Sequence, residues 1–209
     1  MSKLIFFRKN LSGKMKIYNN LKINKKHQNS VVAIGNFDGI HLGHQKVINQ
    51  AKEKAKKNRL PFGIITFEPM PKMFFNKKIK NHRINSLIQK VNQLKQFKLD
   101  FLILIKFNKS FSKLSAEKFI ENIIFKAKCR FLHVSNNFKF GFKRKGNIQT
   151  LKKYSDLYNY KTIITNPLKK ITKVISSTII REKISQGKIY EINKLLNRDW
   201  CIKGKVIKG

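Results

Sequence analysis

Several residue types are scarce in this chain, and each shortage removes a class of explanation. Only two cysteines occur in 209 residues, Cys129 and Cys201, far apart in the sequence. They cannot form the disulfide framework of a small secreted domain, and they fit a reducing cytosol. Long apolar runs are absent: the longest aliphatic or aromatic stretch is Phe101–Ile105, far below the ~20 residues that span a bilayer. The N-terminal patch Leu4–Phe7 is too short for the ~7–15-residue apolar region of a secretory leader and lacks a small-residue cleavage site. No membrane partner is expected, and the location expected is cytoplasmic. Arginine stands only at positions 8, 59, 83, 130, 144, 181 and 198, so lysine carries most of the formal charge of +37. Asn, Ile and Phe are abundant too, all with A/T-rich codons. Genomic drift toward A and T would enrich these residues together, without selection for a polyanion. The lysines run from Lys3 to Lys208 without one block, whereas dedicated nucleic-acid binders concentrate charge on a face. No specific nucleic-acid partner is expected, only salt-sensitive, non-specific sticking.

Against this background one segment stands out, Gly35-Asn36-Phe37-Asp38-Gly39-Ile40-His41-Leu42-Gly43-His44. It follows the apolar run Val31–Ile34, which reads as a buried strand. It precedes Gln45–Asn58, where Val47, Ile48, Ala51 and Ala55 recur at helical spacing. A strand turning into a helix here presents the helix's free N–H groups and the positive end of its dipole to the loop, a ready anion site. Glycines let the backbone approach a ligand closely. His41 and His44, three apart, are spaced to converge on one anion. The glycines miss both the G-x-G-x-x-G and the Walker patterns. The other histidines and cysteines are scattered, which argues against a metal site, and no metal-ligating residue is assigned.

Apolar runs alternate with helical patterns along the chain, predicting an α/β fold with a parallel sheet flanked by helices. The predicted strands are Val31–Ile34, Phe62–Thr66, Phe101–Ile105, Phe131–Val134 and Thr162–Ile164. Ile84, Leu87, Ile88, Val91 and Leu94 predict one amphipathic helix. Ser115 is a candidate N-cap of another, with Phe119, Ile120, Ile123 and Ile124 facing inward. Leu151, Tyr154 and Tyr158 predict a helix before the fifth strand, and Ile189, Ile192, Leu195 and Leu196 a closing one. Ligands of such folds bind beyond the C-terminal strand ends, which places Gly35–His44, Glu68-Pro69 and Asn136–Gly141 on one edge. Residues 1–14 are expected to be a loose extension, 15–198 the folded domain, and 199–209 a short extended tail that should fray without partners.

Four motifs in order, GNFDGIHLGH at 35–44, Thr66–Pro71, Asn136–Gly141 and Ile175–Arg181, closely resemble the nucleotidyltransferases marked by His-x-Gly-His. Within that superfamily they look like the adenylyltransferase module of the bacterial FAD synthetases, the bifunctional riboflavin kinase/FMN adenylyltransferases. The resemblance runs from about Met15 to the C-terminus. It implies a Rossmann-like nucleotidyltransferase fold and transfer of AMP from ATP to FMN, with Mg2+. On this resemblance His41, His44, Asn137 and Arg181 carry catalysis. Gly35, Asn36, Phe37, Asp38, Gly43, Ser176, Ser177 and Thr178 bind ATP, and Glu68, Pro69, Asn137 and Phe138 bind FMN. From the residues alone, Ser176–Thr178 read equally as helix caps. Phe138 and Phe140 read more readily as inward packing than as a flavin stack. Lys139, Lys143 and Arg144 are candidate phosphate partners.

Imidazoles can donate to phosphate oxygens and, protonated, add charge. Mg2+ keeps waters and leans on substrate phosphates, so ten acidic residues suffice. The tail 199–209 resembles the stub of the family's riboflavin kinase domain, so kinase activity is not expected. Two departures are visible: Met70 replaces the usual histidine, and Asn136 a frequent acidic residue. The rival readings are the same chemistry on another phosphorylated acceptor, or a decayed scaffold that binds nucleic acid. The oligomeric state is not set by the sequence.

Overall fold

The computed structural model describes residues 15–76, 78, 82–170 and 173–203. The expectation for residues 1–14, and the tail from 204 onward, lie outside these described residues.

Strands β1 (Lys16–Tyr18), β2 (Ser30–Ile34), β3 (Phe62–Glu68), β4 (Phe101–Lys106), β5 (Cys129–Ser135) and β6 (Lys161–Thr165) form one six-stranded sheet. Its order is β1-β4-β3-β2-β5-β6, and all its pairings are parallel. Every predicted strand is present, lengthened by one to three residues. The unpredicted β1 is a three-residue edge strand whose sequence, Lys-Ile-Tyr, is too short to show a period. Strands β7 (Lys169–Lys170) and β8 (Lys173–Val174) pair as a small antiparallel ribbon.

β2 lies at the centre and is buried along its whole length, because helices cover both faces of a parallel sheet. Its side chains alternate accordingly. Val32 and Ile34 join an apolar cluster with Phe101, Ile120 and Leu132, while Val31 and Ala33 join another with Ile48, Leu94 and Leu102. A third cluster, built from Ile84, Ile180, Ile192 and Leu196, lies beneath the C-terminal helices.

Helix α1 spans Leu42–Asn58, α2 Pro71–Phe75, α3 Leu87–Lys95, α4 Lys109–Ser112, α5 Ala116–Phe119, α6 Ile148–Lys153, α7 Ser177–Ser185 and α8 Ile189–Leu196. α5 runs on into a wider turn at Ile120–Phe125. Ser115 caps α5 as predicted, and Phe119, Ile120, Ile123 and Ile124 are buried. α3 corrects the sequence reading. Ser86 and Gln89 form a capping box that starts the helix at Leu87, leaving Ile84 in the approach to it and Ile88 56% exposed. α6 ends at Lys153, short of Tyr158.

The tail also departs from expectation, because residues 199–201 are tied down. Trp200 donates its backbone N–H to Asn193 and its indole N–H to the Ile84 carbonyl. Asn193 donates to Asp199, and Gln89 to the Cys201 carbonyl.

β2 and β5 are neighbours whose outgoing chains diverge, one to β3 and the other to β6. Such a switch point opens a crevice beyond the strands' C-terminal ends.

Candidate active site

That crevice is a cavity of about 700 Å3. The loop after β2 supplies Gly35, Asn36, Phe37 and Asp38, and α1 supplies His44. Asn137 and Phe138 come from the segment after β5, and Ser177, Thr178 and Arg181 from α7. Residues 140 positions apart in sequence thus share one cavity because the parallel strands all end at the same edge.

The loop reaches this shape through strained backbone. Phe37 and Ile40 hold φ of 47° and 43° and are buried as side chains, a conformation that non-glycine residues adopt rarely. Gly39 has φ of 79°, and a Cβ there would stand 2.9 Å from Ile84. Asp38 fastens the loop at three points. Its carbonyl accepts from Ser177 Oγ at 2.9 Å, its Oδ1 from the Ile84 N–H at 3.1 Å, and its Oδ2 from Arg181 Nη2 at 2.5 Å. Other donors hold the loop's carbonyls from behind. Arg198 bonds Gly39 at 2.7 Å, and Gln45 bonds both Ile40 and Leu196. Lys90 bonds Asn36.

His41 is the N-cap of α1, not a helix-face residue: its Nδ1 accepts the His44 N–H at 3.4 Å. A neutral ring that accepts at Nδ1 carries its proton on Nε2. The two imidazoles stack with centroids 3.7 Å apart, and Phe37 meets the His44 ring edge-on. Burial, helped by the Arg181 charge, pushes the His41 pKa down to about 4. Burial, His41 and Lys90 push His44 well below its ordinary value. Both rings are therefore neutral near pH 7, and a neutral imidazole keeps one N–H to donate but carries no charge. His44 Nδ1 is buried without a partner among the described residues, which is costly in a purely structural histidine.

Five expected site residues do not line the cavity. His41 is 5% exposed and stands beside His44. Gly43 packs against the His41 ring, where a Cβ would come within 3.1 Å. Ser176 caps α7, its Oγ accepting the Ile179 N–H at 3.4 Å. Glu68 is paired with Arg83, and Pro69, after a cis peptide bond, leaves the lining of that corner to Met70 and Pro71. Asn136 is exposed and off the cavity, whereas Lys139, Lys143 and Arg144 line it. Arg181 is already engaged by Asp38 and by the His82 carbonyl through Nε at 2.7 Å. No described residue bonds its Nη1.

The sequence reading missed His82 and Lys72, both on the cavity wall, and a bank of phenylalanines. Phe67, Phe107, Phe111 and Phe119 line it, with neighbouring ring centroids 5.3–6.2 Å apart. Phe138 is half-buried and stacks on Phe140 at 5.6 Å. The signal available was the bunching of aromatics at Phe107 and Phe111 just beyond a strand. Lys90 and Arg198, behind the loop, were missed too. Among the described residues no group of three His, Cys, Asp or Glu side chains is placed to hold a metal ion. No described helix is long and apolar enough to cross a membrane.

Comparison with known proteins agrees with this geometry. The sequence matches the family described as FAD synthetase over residues 23–179. It is 44% identical over 195 residues to the bifunctional riboflavin kinase/FMN adenylyltransferase of Buchnera aphidicola from Schizaphis graminum, covering 92% of this chain and 62% of the relative. The protein of the same name from Escherichia coli K12 is 30% identical, with 86% and 58% covered. The chain thus spans about 60% of the length of the curated relatives it matches. A solved structure titled as a macrolide-efflux protein from Streptococcus pneumoniae superposes with a TM-score of 0.78 at 29% identity, over 90% of this chain and 61% of that one. With the family match spanning most of the chain and the strand-to-helix histidine pair in place, the protein belongs to the FAD synthetase family.

Proposed function

We propose that the chain transfers the AMP group of ATP to FMN, giving FAD and pyrophosphate. The observation that carries this reading is the lining of one cavity: His44, stacked on His41 behind it, and Arg181, together with packed phenylalanines. Triphosphate suits the polar groups and a flavin ring the phenylalanines. An FMN phosphate oxygen attacks the α-phosphorus of ATP; the new P–O bond forms as the bond to the β-phosphate oxygen breaks, and pyrophosphate leaves. Such transfers depend on positioning and charge stabilisation more than on covalent help.

His44 donates to the phosphate oxygens where charge builds, and His41, through its stack and its Nδ1 contact, keeps that ring aimed. Asn36–Asp38 contribute backbone N–H groups, Gly35 lets the chain turn beside them with its own N–H on the Ile65 carbonyl, and Gly43 keeps the approach to the helix terminus open. Arg181, steadied by Asp38, offers Nη1 to the leaving pyrophosphate. Ser177 and Thr178, on the α7 terminus that Ser176 caps, complete the phosphate side. Asn137 sits where the FMN phosphate meets ATP, with Phe138 beside the flavin. Glu68 and Pro69 act indirectly, by holding Arg83 and by setting Met70 in the wall. Mg2+ fits as a passenger of the triphosphate: Asp38, the acidic side chain of the loop, is already committed to Arg181 and Ile84, so the ion's ligands would be phosphates and water.

The test is purified protein with ATP, Mg2+ and FMN, scored for FAD and pyrophosphate. Both should appear, and riboflavin should be inert in place of FMN. Turnover only with another phosphorylated acceptor, such as phosphopantetheine or nicotinamide mononucleotide, would transfer the chemistry to a different substrate. Tight, steeply salt-dependent nucleic-acid binding without turnover would replace the enzyme reading altogether.

A further inference from the structure

Lys90 is a lysine where the fold should tolerate none. It lies on α3 among Leu87, Val91 and Leu94, and it is 4% exposed. Its Nζ has two partners, the Asn36 carbonyl and Thr66 Oγ1, each at 3.3 Å, and Thr66 itself donates to Asn36 at 3.2 Å. A buried ammonium and a buried hydroxyl therefore hold one carbonyl of the phosphate loop. In a trans peptide the N–H points opposite the C=O, so fixing the Asn36 carbonyl behind the loop turns the Phe37 N–H the other way. Asn36 and Phe37 both line the cavity, and no described residue accepts that N–H. Phe37 needs such a hold, since its φ of 47° is a conformation a non-glycine residue keeps only when its surroundings impose it.

We propose that Lys90 is a positioning residue for the nucleotide, holding the Asn36–Phe37 peptide with its N–H toward the triphosphate and placing a fixed positive charge behind the loop. The inference rests on the ATP part of the proposed function and is independent of the acceptor. The charged and titratable groups around Lys90 come from each neighbouring element: Glu68 on β3, Asp38 on the loop, Arg83 ahead of α3, and His44 on α1. Burial dominates over the two carboxylates and brings the Lys90 pKa down to about 8. Nucleotide affinity should then fall as pH rises through about 8. Stability should move the opposite way: the unfolded chain keeps this proton up to 10.5, the folded one does not, and the fold gains as pH rises between those values. Opposite signs separate positioning from ordinary structural support.

The experiment measures binding of α,β-methylene ATP with Mg2+ by calorimetry, and thermal stability alongside, for the full chain and for Lys90→Met and Lys90→Arg. Lys90→Met should bind about tenfold more weakly, the range for losing a charged hydrogen-bond partner, while melting at the same or a higher temperature. Wild type should weaken by a similar factor from pH 7.5 to 9.5, and Lys90→Arg, always charged, should not. Equal affinity of Lys90→Met and wild type at both pH values overturns the proposal, as does a loss of affinity that merely follows a loss of stability. Wild type that binds no analogue overturns the proposed function and this inference together. Wild type that binds it yet makes no FAD sinks the acceptor assignment alone and leaves Lys90 standing.

Discussion

The polar and the aromatic linings of the cavity are built by different physics. Around the histidines the groups that support the site are bonded before any ligand arrives: Asp38 to three partners, Arg181 to two, and the carbonyls of Asn36, Gly39 and Ile40 to Lys90, Arg198 and Gln45. Along the aromatic part of the lining the rings of Phe67, Phe111, Phe119 and Phe140 pack on one another and into the apolar core. Polar preorganisation fixes directions, since a hydrogen bond weakens steeply with angle. Apolar packing fixes volume and leaves ring orientation looser. Small errors should therefore be severe in the polar lining and mild in the aromatic one.

The sharpest way to break this contrast is at His44. His44→Ala should lower turnover by about 10²–10³-fold, the usual loss for one transition-state donor, with an unchanged melting profile because the ring faces the cavity. Turnover close to wild type would remove His44 from its role and collapse the distinction between the linings. Next comes Arg181→Lys. Lysine keeps a charge but cannot serve Asp38, the His82 carbonyl and a phosphate at once, so kcat should fall about tenfold or more. A change confined to KM would show that Arg181 binds without favouring the transition state. In the aromatic lining, Phe138→Ala should raise the KM for FMN several-fold and leave that for ATP alone. Equal effects on both substrates would mean that the aromatic wall supports the whole cavity and not the flavin side.

The same contrast explains what could be read from the amino-acid order. β2, the loop and α1 form one contiguous stretch, so apolar periodicity and the His-x-x-His spacing were visible at once. Residues working at long range were not. Lys90 shows in sequence only as a lone charge on the apolar stripe of α3. Arg198 reaches Gly39 across 159 positions. Phe107 and Phe111 look like any aromatic residues near a strand end. Glu68 and Pro69 were placed correctly at the sheet edge, yet which side chain enters the cavity depended on Arg83, a partner fifteen residues away. Strand existence was legible because burial on both faces produces uninterrupted apolar runs. The edge strand β1 carries no such run.

His133 offers the mildest test, because it resembles the site histidines in burial and not in place. It lies on β5, paired in register with Ala33 and Ile163, and is 2% exposed. Burial, helped by the Lys54 charge, lowers its pKa to about 4. Both ring nitrogens lack partners among the described residues, and it does not line the cavity. His133→Leu removes two unsatisfied polar atoms at similar volume and should stabilise the fold by about 1–2 kcal/mol at pH 7. The gain should grow on acidification. The unfolded histidine takes up a proton near 6.5 while the folded one resists until about 4, so wild type loses stability as pH falls through that window, by up to about 3 kcal/mol from this residue. Denaturant titrations at pH 7 and pH 5 measure both parts. FAD formation should not change. A loss of activity in His133→Leu would extend the preorganised region along β5 beneath α1, whose Lys54 already bears on this ring, and the boundary drawn between the polar and aromatic linings of the cavity would no longer hold.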